Sequence, residues 1–262
     1  EQRAVSLYTL LSGHGEVHLW CEGEPHRELA DRYPIRRIGR DGAPAGGTLV
    51  FVSTYYAVGA WLERVRPQRV VIIYNVDAPA TRSRWLARLG RPWLPKPEWV
   101  FASENLRARC GESGAVQLSP IDIERFSSRR EVGRTKRGDF VVGRFSRDVP
   151  EKHHPDDPAL YRALAARGVR VRLMGATVLR DALADAPGIE LLPEGAEPAQ
   201  TFLHSLDAFL YRTGPAWFES FGRVVFEALA SGLPVVVHRR GGYLEHIDPG
   251  TNGFVFDTNA EA

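Results

Sequence analysis

Lysine is almost missing from this chain. Lys96, Lys136 and Lys152 are the whole supply in 262 residues, and arginine carries the rest of the positive charge, as a GC-rich genome produces. The 34 basic and 32 acidic residues leave a formal net charge of +2, so bulk charge gives no argument for a nucleic-acid partner. Cysteine is scarce too. Cys21 and Cys110 stand far apart without metal or redox spacing, the usage expected of a reduced, cytoplasmic protein. No apolar run reaches the roughly 18 residues of a membrane span, and no secretory signal is present. No G-x-G-x-x-G follows a strand-like run, which argues against a dinucleotide-dependent oxidoreductase. Asp-x-Asp occurs nowhere. The sequence opens at Glu1 rather than at a methionine and closes at Ala262 in a polar stretch, so both ends of the natural protein are expected to lie outside it.

What is present is an ordinary globular composition, 44% hydrophobic and 25% charged, long enough for one large α/β unit or two medium domains. Residues 2–12 have the apolar spacing of a helix. Strand-like runs follow at 16–21, 48–52, 69–74, 99–102 and 115–118. Most are short, apolar on both faces and separated by helix-like segments, the pattern of a buried parallel sheet. Polar, arginine-rich residues 119–138 break the rhythm and predict a domain junction. Alternation resumes with strands at 139–145, 169–175, 189–192, 207–212, 234–237 and 253–256, and with helices near 157–167, 178–185 and 198–205. Two successive α/β sheets are expected, with ligands bound beyond the carboxyl ends of their strands.

One stretch does not read as simple core. In ESFGRVVFEALASGLPVVV (219–237), Glu219 precedes an apolar helical run and Glu227 lies inside it. The strand before it ends near Arg212, so Glu219, Ser220, Phe221 and Gly222 fall at a strand-to-helix turn. Backbone N–H groups and the helix dipole favour an anion there, and Gly222 leaves room for a phosphate to approach. Eight helical residues span about 12 Å, comparable to the sugar-to-ribose distance of a nucleotide sugar. On spacing alone, a solvated Glu219 and a Glu227 on the wet face of the helix remain the alternative.

The pattern Glu219-Ser-Phe-Gly-x4-Glu227-Ala-x-Ala-x-Gly-x-Pro-Val-Val resembles the E-x7-E signature of retaining GT-B glycosyltransferases, specifically glycosyltransferase family four. The flank RRGGYLEHIDPGTNGFVF is similar to the glycine turn, glutamate and G-x-N-G strand that follow it in that family. The resemblance implies that Glu219 binds donor-sugar hydroxyls, that Glu227 holds the ribose hydroxyls, and that amides around Phe221 and Gly222 face the diphosphate. It also implies a Gly-Arg pair closing a strand, with a lysine soon after, here Gly143, Arg144 and Lys152. Such cations offset charge on a departing diphosphate without a metal. The gap from arginine to lysine is about three residues longer than the family usually has, which leaves Arg147 as an alternative to Lys152. His153, His154, Asp156 and Asp157 lack further ligands at metal spacing, so no metal and no cofactor is expected.

In the N-terminal half the resemblance is in outline only. Residues 3–20 look like the first helix and second strand, so the first strand and its glycine loop are expected before Glu1, and final helices after Ala262. VQLSPIDIERF resembles the N-G-x-D-x-x-x-F segment before the linker, with Ser119-Pro120 replacing Asn-Gly. In IIYNVDAPATRS, Asp77 matches the acid of a His-Asp pair while Val76 replaces the histidine. Asn75 and Asp77 are therefore named only as acceptor-side candidates. Residues 82–99 interleave arginines and Lys96 with Trp85, Trp93 and Trp99. This suits a solvated helix with tryptophans in the core, or peripheral contact with the inner face of a plasma membrane.

The expected architecture is two Rossmann-like domains facing a cleft, 1–130 for the acceptor and 131–262 for the nucleotide sugar. The expected activity is transfer of a sugar from a nucleotide diphosphate sugar to a glycan, lipid-linked or small-molecule hydroxyl, with retained configuration and without nucleic acid. A nucleotide-sugar hydrolase or epimerase on the same fold, and a degenerate regulatory subunit that only binds nucleotide sugar, remain alternatives.

Overall fold

The computed structural model describes residues 2–56, 58–127 and 138–262. The chain divides into two compact units, Glu1–Pro120 and Ile121–Ala262.

In the first unit, α1 (Gln2–Leu11) precedes β1 (Leu19–Cys21), α2 (Arg27–Ala30) and β2 (Ile35–Arg37), and the two short strands pair in parallel. β3 (Thr48–Val52), β4 (Arg69–Tyr74), β5 (Glu98–Phe101) and β6 (Ala115–Val116) form a parallel sheet in that order. α3 (Pro79–Leu89) and α4 (Glu104–Cys110) supply its crossovers. Their boundaries follow local chemistry. Pro79 opens α3, where a missing N–H costs nothing. The Ser103 hydroxyl caps α4 by accepting from the Leu106 N–H. Of the Arg/Trp stretch, Trp85 and Trp99 are buried, whereas Trp93 is exposed with the Arg66 guanidinium 5.4 Å from its ring centroid. No helix among the described residues is long and apolar enough to cross a membrane.

The second unit begins with α5 (Ile123–Ser127) and continues through β7 (Val141–Phe145), α6 (Asp157–Ala166), β8 (Arg170–Met174), α7 (Arg180–Leu183), β9 (Ile189–Leu192) and α8 (Ala199–His204). β10 (Ala208–Tyr211), α9 (Arg223–Ala230), β11 (Val235–His238) and β12 (Gly253–Phe256) complete it. The six strands are parallel in the order β9-β8-β7-β10-β11-β12, the doubly wound arrangement. The order reverses between β7 and β10, and the crevice beyond their carboxyl ends is where such sheets bind ligands. The expected α/β class and most of the strands are borne out.

The division between the units falls at Pro120/Ile121, inside the 119–138 stretch where the sequence pattern breaks and ahead of the expected bound at 130. Sequence patterning puts residues 121–127 in the first domain, with a boundary at 130. The structure gives them to the second unit, and 130 itself lies outside the described residues. Phe126 enters a core with Phe202, Val225 and Ala228, and its carbonyl lies 3.0 Å from His204 Nε2. Arg125 Nε donates to Gln200 Oε1 at 3.0 Å. These partners lie far along the chain, so no local composition reveals them.

Gly143 is also reassigned. It sits inside β7, paired with Phe209 and Arg172, not at the turn where a phosphate could reach it. A Cβ there would come within 2.6 Å of both the Arg172 carbonyl and the Leu206 side chain. Its glycine is required by packing between strands and core.

The ends of β7 and β10 are tied by a buried ion cluster. Asp157, the first residue of α6, accepts from Arg212 Nε and Nη2 at 2.9 and 2.7 Å and from Arg144 Nη1 at 3.3 Å. Arg144 also donates to the carbonyls of Arg212 at 2.7 Å and Lys152 at 2.6 Å. The neighbouring His153 is buried, with Nε2 3.0 Å from the Gly175 carbonyl, an acceptor that fixes the proton on that nitrogen. Burial, with the Arg144 charge second, pushes the His153 pKa down from 6.5 to about 4.

Two outcomes follow from this framework. Gly143→Ala should lower the unfolding free energy by about 1–3 kcal/mol, the usual cost of overpacking, measured by urea denaturation. An unchanged midpoint would show that the strand tolerates a Cβ. Between its unfolded and folded pKa values, His153 is protonated only in the unfolded chain. Its contribution is therefore complete above pH 6.5 and lost as pH falls toward 4. Burial lowers His154 and His238 as well, so their protonation acts in the same direction as pH falls below 6.5. Urea titrations across that range should show falling stability, with a shallower fall in His153→Gln; an equal slope would remove His153 from the account.

Candidate functional site

Glu219 lies in the connection from β10 to α9, beyond the carboxyl end of β10. Its Oε2 stands 2.5 Å from Lys152 Nζ and accepts from the Tyr211 hydroxyl at 2.8 Å. Its backbone carbonyl accepts from the Gly242 N–H at 2.8 Å, which fixes the loop to the turn after β11. Lys152 closes a short 3-10 turn, Pro150–Lys152, after β7. Its ammonium lies 4.4 Å from the Trp217 ring centroid, and the Arg147 guanidinium lies 5.2 Å from the same ring. The two cations that the sequence leaves as alternatives thus share one aromatic platform. Burial pushes the Lys152 pKa down, and the Glu219 carboxylate offsets part of that shift.

Arg144 is placed differently from a surface phosphate cation. It is 1% exposed, its terminal nitrogens are committed to Asp157 and to the two carbonyls described above, and it stacks 5.2 Å from the Tyr211 ring centroid. It holds the Lys152 backbone in place. The histidine and aspartate pairs of this loop are likewise spent on structure: His153 bonds Gly175, and the Asp157 carboxylate also accepts from the His154 N–H at 2.9 Å. Among the described residues, no three or more histidine, cysteine, aspartate or glutamate side chains come together as a metal group.

The turn before α9 is compact. Ser220 and Phe221 are buried, and the Phe221 ring stacks on Phe226 at 4.3 Å. Gly222 is the N-cap, at φ 82°, and a Cβ there would meet the Tyr243 ring at 2.6 Å. The room that glycine provides is thus taken on that side by Tyr243. The Gly222 cap supplies no side-chain hydrogen bond to the helix, and the Val225 N–H is taken up by the Gly222 carbonyl at 2.8 Å. Glu227, on the second turn, is only 7% exposed and accepts from Arg223 Nε at 2.7 Å. The wet-face alternative is thereby excluded. Burial raises the Glu227 pKa, and the Arg223 charge opposes that rise.

Asn75 and Asp77 belong to the first unit, just after β4. Asp77 is ion-paired with Arg109 at 2.8 Å, and Asn75 Oδ1 is buried with no hydrogen-bond partner among the described residues. Sequence reasoning missed Tyr211, Trp217, Asp157 and Arg212. Trp217 carried one usable signal, an aromatic two residues before Glu219; nothing local marked the others. A depression of about 260 Å³ lies near the amino ends of β8 and β9, the wrong end of the sheet for a ligand, and the Arg172–Glu190 ion pair lines it.

The site therefore offers two cations on one ring, a carboxylate shared by lysine and tyrosine, a glycine-capped helix start and a second carboxylate behind it. That set suits an anionic, hydroxyl-rich ligand. Comparison with known proteins points the same way. The family model for glycosyl transferases group 1 matches residues 195–262. A GDP-mannose-dependent alpha-mannosyltransferase of Mycobacterium tuberculosis is 35% identical over 211 residues, covering 71% of this chain and 53% of that protein. The chain thus spans about half the length of that relative. A glycosyltransferase structure from Rickettsia africae aligns over 99% of this chain and 80% of its own, with a TM-score of 0.71 at 12% identity. Anabaena HepE, solved with UDP and glucose, aligns over 74% of this chain and 59% of its own, with a TM-score of 0.57 at 19% identity. The chain carries a glycosyl transferases group 1 domain over residues 195–262 and, with its two parallel α/β units, has the GT-B glycosyltransferase fold.

Proposed function

We propose that this chain is the core of a metal-independent, retaining glycosyltransferase that moves a sugar from a nucleoside diphosphate sugar to an acceptor hydroxyl. The observation that carries this reading is the Lys152–Glu219 pair at the β7/β10 crevice, beside the start of α9. In the structure each charge neutralises the other. An incoming donor exchanges both partners: its diphosphate takes Lys152, and its sugar hydroxyls take the Glu219 carboxylate while Tyr211 keeps hold of one oxygen. Arg147, against the same Trp217 ring, is the second diphosphate cation. Arg144 acts through the Lys152 carbonyl as a positioning residue. Glu227 accepts the ribose hydroxyls and is held for that task by Arg223.

During transfer, the bond from the anomeric carbon to the diphosphate oxygen breaks, and the acceptor oxygen bonds the same carbon from the same face. The acceptor proton passes to the departing phosphate oxygen, so no protein nucleophile is required. Lys152 and Arg147 offset the charge that builds on the leaving group, the task performed elsewhere by a divalent cation. GDP-mannose and UDP-glucose are the first donors to test, given what the mannosyltransferase relative is named for and what HepE was solved with.

With the matching donor and acceptor, NMR of the product should show the donor's anomeric configuration, at a rate unchanged by EDTA. Glu219→Ala should lower turnover by about 10²–10³-fold, the loss typical of one transition-state contact, with folding intact by circular dichroism. Full turnover in that variant, an inverted product or abolition by EDTA would each remove this mechanism.

A further inference from the structure

The first unit holds a cavity of about 190 Å³ lined by Thr54, Tyr55, Tyr56, Val58, Thr81, Arg84, Trp85 and Arg88. It opens where β3 ends and α3 begins its course, beyond the carboxyl ends of parallel strands, the place where such sheets bind ligands. Thr54 is 1% exposed, yet its hydroxyl has no hydrogen-bond partner among the described residues. A buried hydroxyl without a partner costs free energy, and a ligand hydroxyl, which can both donate and accept, would remove that cost. Ser53, just before it, has φ 87°, the sole positive value outside glycine among the described residues. Such strain persists where the surroundings impose it, and it concentrates at binding sites.

The walls specify the ligand further. Tyr55 and Tyr56 are 61% and 74% exposed, with rings edge to face at 5.5 Å, while Trp85 is buried and anchored through its N–H to the Tyr56 carbonyl at 2.7 Å. Exposed tyrosine rings beside a polar cavity suit the C–H faces of a sugar ring. The charge of the lining is positive. Arg88 is engaged by Glu63 at 3.0 Å, but Arg84 is exposed and has no ion pair among the described residues. Among the described residues, no acidic side chain lines the cavity.

We propose that this cavity binds a hexose ring carrying one anionic group, a uronate or a sugar phosphate, and that it is the acceptor subsite. The ring lies on Tyr55 and Tyr56, one hydroxyl meets Thr54, and the anion meets Arg84. The word acceptor rests on the transferase reading; the binding chemistry does not. The same headgroup can arrive as a free sugar or at the end of a lipid-linked acceptor, and the probes below separate these sources.

Saturation-transfer NMR of the whole chain with glucuronate, glucose 6-phosphate, glucose and inorganic phosphate is the test, with dodecyl glucuronide and dodecyl glucoside as lipid-like forms. An anionic hexose should bind at least fivefold more tightly than its neutral counterpart and than inorganic phosphate. Arg84→Gln should abolish that preference, and Tyr56→Ala should weaken both sugars. Binding of glucuronide in micelles but not of free glucuronate would support the site and assign its ligand to a lipid-linked source. Equal binding of neutral and anionic sugars, no binding by any probe, or unchanged binding in both variants would overturn the proposal. UDP and GDP titrations on the same samples keep the two readings apart. Loss of sugar binding with nucleotide binding intact would sink this subsite alone, whereas loss of nucleotide binding would sink the donor reading.

Discussion

The Asp157 carboxylate, buried between Arg144 and Arg212, is the constraint on which the rest of the second unit depends. It links the end of β7, the start of α6 and the end of β10, the three points that border the crevice. Arg144 extends the link to the Lys152 carbonyl, and Arg212 Nη1 extends it to the Asn259 side chain at 2.8 Å. Breaking a buried ion pair by removing one partner typically costs about 3–5 kcal/mol, because the remaining charge is stranded. The loops that carry Lys152 and Glu219 are thus tied to the sheet by charge as well as by packing. The nearby glycines serve the same end: at Gly175 a Cβ would fall 1.8 Å from the Ser146 carbonyl, so the loops after β7 and β8 lie in direct backbone contact.

On that frame the site is held ready by self-neutralisation. Lys152 and Glu219 stand in a partly desolvated crevice where neither charge would be comfortable alone, and each satisfies the other until a ligand of mixed character replaces both. Lys152 and Arg147 both lie against the Trp217 ring, so the two positive charges are stabilised by a ring as well as, for Lys152, by a carboxylate. A ligand offering only phosphate, or only hydroxyls, would leave one member of the pair unpaired. This is the physical basis of the proposal that the site takes a sugar joined to a diphosphate.

The sheet was legible because buried parallel strands write themselves as short apolar runs: 48–52, 69–74, 189–192 and 253–256 fall on the observed strands. Glu219 and Glu227 were legible for the opposite reason, being charges where packing asks for none. The packing of Gly143 and Arg144 was illegible because their partners, Arg172, Leu206, Asp157 and Arg212, are distant in sequence, and a Gly-Arg pair reads the same whether it faces a phosphate or a core. The position of the division inside 119–138 was illegible for a similar reason. Residues 121–127 look like linker until Phe126 is seen among α8 and α9 side chains. Tyr211 had no pattern of its own, being the last residue of an apolar strand, and Trp217 was marked only by standing two residues before Glu219.

The most direct test of the exchange between Lys152 and Glu219 is calorimetry of UDP and GDP binding, in EDTA, to the unaltered protein, to Lys152→Gln and to Glu219→Gln. One diphosphate should bind the unaltered protein, at least tenfold more weakly to Lys152→Gln, and no more weakly to Glu219→Gln, whose lysine has lost its competitor. Equal affinity in Lys152→Gln, or no binding of either diphosphate to the folded protein, would contradict the account.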